Sequence, residues 1–249
     1  MPISAEKAII KKNEAAASPA GFGTAAANRI CIPERTVFMQ PTEKILHQTG
    51  IIPVIKLNDA QTAVPMAKAL TAGGIHAAEI TFRTPAAAES IRRVAAALPD
   101  MFVCAGTVLT VTQAELAVQS GAKAIISPGT NPEIVQWCLA RQIPVYPGCA
   151  TPTEIEAAIR LGLDTVKLFP AEVLGGVKML KALAGPYGEM KFMPTGGISP
   201  QNVREYLALP NVIACGGSWL CSDSLLEAGD FAAIEKLARE ASEIVASVR

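Results

Sequence analysis

The chain has 249 residues, half of them apolar and 18% charged, enough to bury one core of α/β-barrel size or two smaller ones. Its 22 basic residues balance 22 acidic ones and aromatics make up 5%, which leaves no electrostatic or stacking case for nucleic acid and no basic face for a membrane. No apolar run approaches the about 18 residues that span a bilayer. The six cysteines, Cys31, Cys104, Cys138, Cys149, Cys215 and Cys221, show no CxxC spacing, the pattern of buried thiols in a reducing, cytoplasmic setting.

Residues 1–38 lack sustained periodicity, and small and polar residues dominate 15–28, so this stretch predicts a poorly ordered extension. Met39 is read as the true initiator. A transit peptide is the other reading, but Glu6, Glu14 and Glu34 speak against it, and a secretory apolar region is missing. From 39 to 249 the pattern predicts one domain. A short helix over 41–48 leads into eight strand, turn and helix units, with strands at 51–57, 77–82, 101–106, 124–127, 144–147, 165–169, 191–194 and 212–216. The first helix between them, over 60–71, has Ala63, Met66, Ala67 and Leu70 at helical spacing.

Thr84-Pro85, Asn131-Pro132, Thr151-Pro152 and Ser199-Pro200 each place an acceptor at a predicted N-cap and a proline just inside the helix. Thr151 and Glu154 have capping-box spacing. Gly73, Gly121, Gly162 and Gly185 are read as left-handed helix stops. Short apolar strands alternating with helices imply a parallel sheet covered on both faces, and eight such units favour a single (β/α)8 TIM barrel. The alternative, a doubly wound open sheet, lacks an edge-like strand and a GxGxxG fingerprint after the first strand.

In a barrel the chemistry sits at the carboxyl ends of the strands. Within Thr165-Val166-Lys167-Leu168-Phe169-Pro170, a period of two puts Thr165, Lys167 and Phe169 on one face. If that face points into the barrel, Lys167 is partly desolvated, which favours the neutral amine that attacks a carbonyl. The plain alternative is a lysine that snorkels to water. By the same parity Glu79 faces with Ala77 and Thr81, so its carboxylate can share the interior with Lys167 and move protons. An ordinary rim salt bridge to Arg83 is the competing reading for that pair. Glycine doublets after the seventh and eighth strands, Gly196-Gly197 and Gly216-Gly217, with Ser218 following, lie where barrels bind phosphate. A tight turn alone would also call for glycine. Lys56, ending the first strand, is read as an exposed lysine or an extra anion contact. His47 and His76 lie away from these ends, and no His/Asp/Glu cluster offers metal geometry, so neither metal nor cofactor is expected.

Gly73-Gly74-Ile75 leading to Glu79-Ile80-Thr81-Phe82-Arg83-Thr84, then Ala105-Gly106-Thr107-Val108, Ser127-Pro128-Gly129, Lys167-Leu168-Phe169-Pro170-Ala171, Pro194-Thr195-Gly196-Gly197-Ile198 and Gly216-Gly217-Ser218-Trp219-Leu220 follow in order at the strand ends. From residue 41 onward the chain thereby resembles the 2-keto-3-deoxy-6-phosphogluconate (KDPG) and 4-hydroxy-2-oxoglutarate (KHG) aldolase family. The resemblance implies a class I aldolase that releases pyruvate, with Lys167 as Schiff-base lysine and Glu79 as proton carrier. It further implies Arg83 and Thr107 on the pyruvyl carboxylate, Phe169 and Pro128 shaping its pocket, and Gly196, Gly197, Gly217 and Ser218 on the phosphate. A homotrimer without cofactor is implied too. A phosphate-binding isomerase or epimerase without covalent attachment is the second enzyme reading, and a non-enzymatic phosphometabolite-binding or interaction module the third.

Overall fold

A computed structural model describes residues 41–249. The predicted extension over 1–38, the start at Met39 and Cys31 lie outside the described residues.

The described chain alternates parallel strands with helices. The strands are β1 (Ile51–Ile55), β2 (Ala77–Thr81), β3 (Phe102–Gly106), β4 (Ala124–Ile126), β5 (Val145–Tyr146), β6 (Gly148–Cys149), β7 (Thr165–Leu168), β8 (Lys191–Phe192) and β9 (Cys215–Gly217). The helices are α1 (Pro41–Thr49), α2 (Ala63–Ala72), α3 (Ala87–Ala97), α4 (Val111–Gln119), α5 (Pro132–Leu139), α6 (Pro152–Arg160), α7 (Gly176–Ala184), α8 (Val203–Leu207), α9 (Asp223–Ala228) and α10 (Phe231–Ala246). One ladder runs β5-β4-β3-β2-β1-β9 and a second β6-β7-β8, with every pairing parallel. Isolated bridges Phe192↔Val212 and Thr195↔Gly216 run between the end of the second ladder and the β9 side of the first. The result is an α/β fold built on a curled parallel sheet.

Several predicted boundaries are corrected, and proline explains two of them. The predicted fifth strand, 144–147, becomes β5 and β6 on either side of Pro147, which has no N–H for a ladder. Its carbonyl still accepts from Lys167 N–H at 2.9 Å. The predicted seventh strand stops two residues early, before Pro194. The eighth shifts to Cys215–Gly217, with Val212 left in an isolated bridge, and the helix predicted from residue 60 opens with a 3-10 turn over Ala60–Thr62.

The predicted caps form where the acceptor meets its own helix. Asn131 accepts from Glu133 N–H at 2.9 Å, and Thr151 with Glu154 forms the full capping box. Thr84 is not a cap: its hydroxyl donates to the Leu57 carbonyl, and α3 starts after Ala86. Nor is Ser199, since α8 begins after Asn202, whose side chain accepts from Ser199 N–H at 2.9 Å. Gly121 and Gly162 take the left-handed conformation, whereas Gly73 and Gly185 do not, with φ of −82° and −65°. At Gly73 the requirement is space, because a Cβ there would lie 2.6 Å from the Glu235 carbonyl oxygen of α10.

Alternate strand residues separate two cores. Ala78, Ile80, Val103, Ala105, Val166 and Leu168 pack with the helices. Ile52, Ala77, Phe102, Cys104, Ala124, Ile126, Tyr146, Met193, Ile213 and Ala214 form the other cluster, to which α1 alone among the described helices contributes, through Leu46. That cluster is therefore the inner face of the curl. Burying Leu46 there contributes about 1.5–3 kcal/mol. Nearby, buried Glu43 of α1 accepts from the Thr165 hydroxyl at 2.7 Å and lies 3.5 Å from Lys191 Nζ, tying α1 to the first residues of β7 and β8. The amino ends of the strands are thus covered by α1, and the carboxyl ends remain for chemistry.

Candidate active site

The parity read from the sequence holds on β7 and β2. Lys167 and Glu79 meet across the inner face, although 88 residues separate them, with Lys167 Nζ 3.2 Å from Glu79 Oε1. Both are buried, at 5% and 1% exposure. The snorkelling reading of Lys167 and the rim-bridge reading of Glu79 are set aside. Glu79 Oε2 is buried and has no hydrogen-bond partner. Two charges taken out of water hold together only with good mutual geometry, and removing one leaves the other at a cost of about 3–5 kcal/mol. A buried amine beside a carboxylate with a free acceptor is equipped to bond a carbonyl carbon and pass protons at it.

Small residues make the room. Gly106, ending β3, faces Glu79, and a Cβ there would stand 2.5 Å from Glu79 Cγ. Cys104, two residues earlier, is fully buried, and burial first, then the nearby Glu79 charge, pushes its thiol well above the ordinary range. It is inert packing. The ring of Phe169 stands with its centroid 5.3 Å from Lys167 Nζ, within cation–π reach.

Arg83 lies at the rim past the end of β2, where Nε donates to the Thr81 hydroxyl at 3.0 Å. Thr81 in turn donates to the Ile55 carbonyl at 2.8 Å, so Arg83 is braced against β1 and β2. Thr107 follows β3 with φ of 54°, a left-handed conformation that costs a β-branched residue about 1–3 kcal/mol and clusters at functional sites. Sequence reasoning selected Thr107 by resemblance and had no signal for its backbone. Pro128 is half-buried after β4, against Gly148, which has no room for a side chain beside the Pro128 carbonyl.

Gly196 and Gly197 have φ of 100° and 79°, so this doublet does require glycine. Gly217 lies against the Trp219 ring without space for a Cβ. Ser218 is exposed, and its side chain makes no capping hydrogen bond to the 3-10 turn Trp219–Cys221 that follows. Lys56 is partly buried, its side chain 31% exposed, and pairs with Asp223 at 2.5 Å, a partner the sequence reading missed. His47 and His76 are exposed. Among the described residues no group of three or more His, Cys, Asp or Glu side chains could hold a metal ion, and no helix is long and apolar enough to cross a membrane.

A lysine and a glutamate buried together on the inner face of a curled parallel α/β sheet, Lys167 near the carboxyl end of β7 and Glu79 in the middle of β2, suit a lyase that works through an imine on the lysine. Comparison with known proteins narrows this. Residues 42–237 match the KDPG and KHG aldolase family. The 2-dehydro-3-deoxy-phosphogluconate aldolase of Haemophilus influenzae is 47% identical over 200 residues, 80% of this chain and 94% of that one. The KHG/KDPG aldolase of Escherichia coli is 47% identical over 201 residues, 81% and 94% of the two chains. Among solved structures, KDPG aldolase of Legionella pneumophila, with pyruvate captured as a covalent carbinolamine, superposes with a TM-score of 0.78 at 37% identity over 81% of this chain and 98% of that one. That of Zymomonas mobilis with 3-phosphoglycerate gives 0.77 at 35% identity, over 82% and 96%. The chain belongs to the KDPG and KHG aldolase family.

Proposed function

We propose that the chain is a class I aldolase that cleaves KDPG to pyruvate and D-glyceraldehyde 3-phosphate, and KHG to pyruvate and glyoxylate. The observation that carries this reading is the buried contact of 3.2 Å between Lys167 Nζ and Glu79 Oε1. Lys167 passes a proton to Glu79 and its free amine adds to the C2 carbonyl to give a carbinolamine; Glu79 then protonates the departing hydroxyl, so that water leaves, the iminium forms and Glu79 is again a carboxylate. Glu79, directly or through a water, takes the C4 hydroxyl proton as the C3–C4 bond breaks. The bonding pair enters the iminium as an enamine, and the aldehyde departs. A proton returned to C3 and hydrolysis of the imine release pyruvate and restore the amine.

Arg83 and Thr107 hold the pyruvyl carboxylate in this scheme, and Phe169 and Pro128 close its pocket. Gly196, Gly197, Gly217 and Ser218 hold the phosphate, a role supported by the left-handed glycine turn and by the uncommitted Ser218 side chain. The isomerase or epimerase reading has no use for an amine buried against a carboxylate.

The same proposal takes the domain as 39–249 and the sheet as a closed ring of eight strands. The bridges Phe192↔Val212 and Thr195↔Gly216 support one seam, and the chain through Pro147 supports the other. It also takes the protein as a cytoplasmic homotrimer. Leu109 and Leu116, at 54% and 46% exposure, are apolar surface that a partner subunit would cover, and light scattering at three times the 26.0 kDa chain mass is the check.

The deciding experiment is borohydride reduction in the presence of pyruvate. One reduced pyruvyl unit is expected on Lys167, with none on Lys167→Ala, which also loses cleavage. An unmodified wild-type mass overturns the imine.

A further inference from the structure

Glu172, past the end of β7, has two relations to the Gly196-Gly197 turn. Its N–H donates to the Gly196 carbonyl at 3.1 Å, just as Ala171 N–H donates to Thr195 at 2.8 Å. Its side-chain stem lies flat on Gly197, where a Cβ would stand 2.5 Å from Glu172 Cγ. The residue is exposed overall, so a carboxylate stands beside the turn assigned above to a phosphate. Left free, a negative charge there would repel that anion or fill its place.

Tyr206 prevents this. It is fully buried on α8, and its hydroxyl donates to Glu172 Oε1. Gly176, at the start of α7, yields space to both partners, because a Cβ there would lie 2.6 Å from the Tyr206 oxygen and 2.8 Å from Glu172 Oε1. Three segments, one after each of β7 and β8 and one opening α7, thus converge on one side-chain pair. Burial first, then the hydrogen bond to Glu172 and the charge behind it, pushes the Tyr206 hydroxyl above its ordinary range, so it stays a donor at any working pH.

We propose that Tyr206 is a positioning residue for the phosphate end of the substrate: it tethers the Glu172 carboxylate behind Gly197, keeping that charge out of the anion's place. The proposal rests on the phosphate assignment made under the proposed function.

Steady-state kinetics on KDPG and KHG test it, using the full chain. Tyr206→Phe keeps the buried ring and frees the carboxylate. KM for KDPG is expected to rise on the order of ten-fold, a modest share of what like charges a few ångströms apart cost near a surface. Its kcat and both KHG constants change little. Adding Glu172→Gln to Tyr206→Phe should restore KM for KDPG, and Glu172→Gln alone should leave it at or below the wild-type value. Equal losses on both substrates without rescue, an unchanged KM in Tyr206→Phe, or a raised KM in Glu172→Gln alone each overturn the tether. Wild-type controls separate the two layers. No preference for KDPG over KHG, together with no competitive inhibition by inorganic phosphate, removes the phosphate assignment itself. A wild type that prefers KDPG, alongside an unaffected Tyr206→Phe, removes only the role of Tyr206.

Discussion

Gly106→Ala tests the geometry of the central pair without replacing either reacting group. Gly106 does not have a positive φ, so alanine meets only a steric obstacle there. The added methyl would stand 2.5 Å from Glu79 Cγ and 2.8 Å from its Cδ. Relaxed carbon contacts are about 3.5–4.0 Å, so the carboxylate has to withdraw by roughly 1 Å. That opens the 3.2 Å contact with Lys167 by a comparable amount. A misplacement of about 1 Å costs on the order of 10²-fold in rate, and overpacking costs about 1–3 kcal/mol. In a chain of this size the latter lowers Tm by about 2–12 °C. Pyruvate release, coupled to NADH oxidation by lactate dehydrogenase, gives kcat, and a thermal melt gives Tm. Gly188→Ala is the control: its Cβ would meet nothing closer than 3.8 Å, and both readings should stay at wild type. Wild-type turnover and Tm in Gly106→Ala would refute the claim that Glu79 is held against this glycine and that its position sets the rate.

Three further outcomes follow from other parts of the molecule. Thr107→Gly relieves a left-handed φ worth about 1–3 kcal/mol against about 1 kcal/mol of added chain entropy, so Tm should hold or rise while KM for both keto acids increases; a lower Tm with unchanged KM contradicts the role given to Thr107. Ser218→Ala should raise KM for KDPG and affect KHG cleavage less, and equal losses would argue against a phosphate contact. Glu154 is held below the ordinary glutamate range first by the Ala150 N–H, with the Thr151 hydroxyl and N–H adding to it. A lowered folded-state pKa contributes stability that is present above the unfolded value and lost as pH falls through the folded one. Glu154→Ala should therefore cost about 1 kcal/mol at neutral pH, the usual cost of a cap, and the Tm gap to wild type should close as the pH drops below the carboxylate range. A gap that persists in acid would assign the effect to packing instead.

How far the site could be read from sequence depends on how local its determinants are. Alternation along a strand is local, so the shared inner face of Lys167 and Glu79 was legible across 88 residues without knowing the path between them. The same rule stops at the last strand residue. Because β2 ends at Thr81, parity said nothing about Arg83, and a sequence spacing of four that resembled a rim salt bridge leads instead to Thr81. Proline behaved likewise: Pro147 was visible, but only the ladder partners show that losing its N–H breaks one strand into two. Thr84 and Ser199 carry the same local signal as Thr151, and what separates them is an acceptor in a neighbouring segment, Leu57 for Thr84, or, for Ser199, a later helix start after Asn202, whose side chain takes the Ser199 N–H. Thr107 hid its backbone because a β-branched residue is the least expected occupant of left-handed space, and Tyr206 hid its partner 34 residues away on another element. Faces and chemistry follow from short-range pattern, while the side chains that hold a charge in or out of the substrate's path are set by contacts made only when the sheet curls.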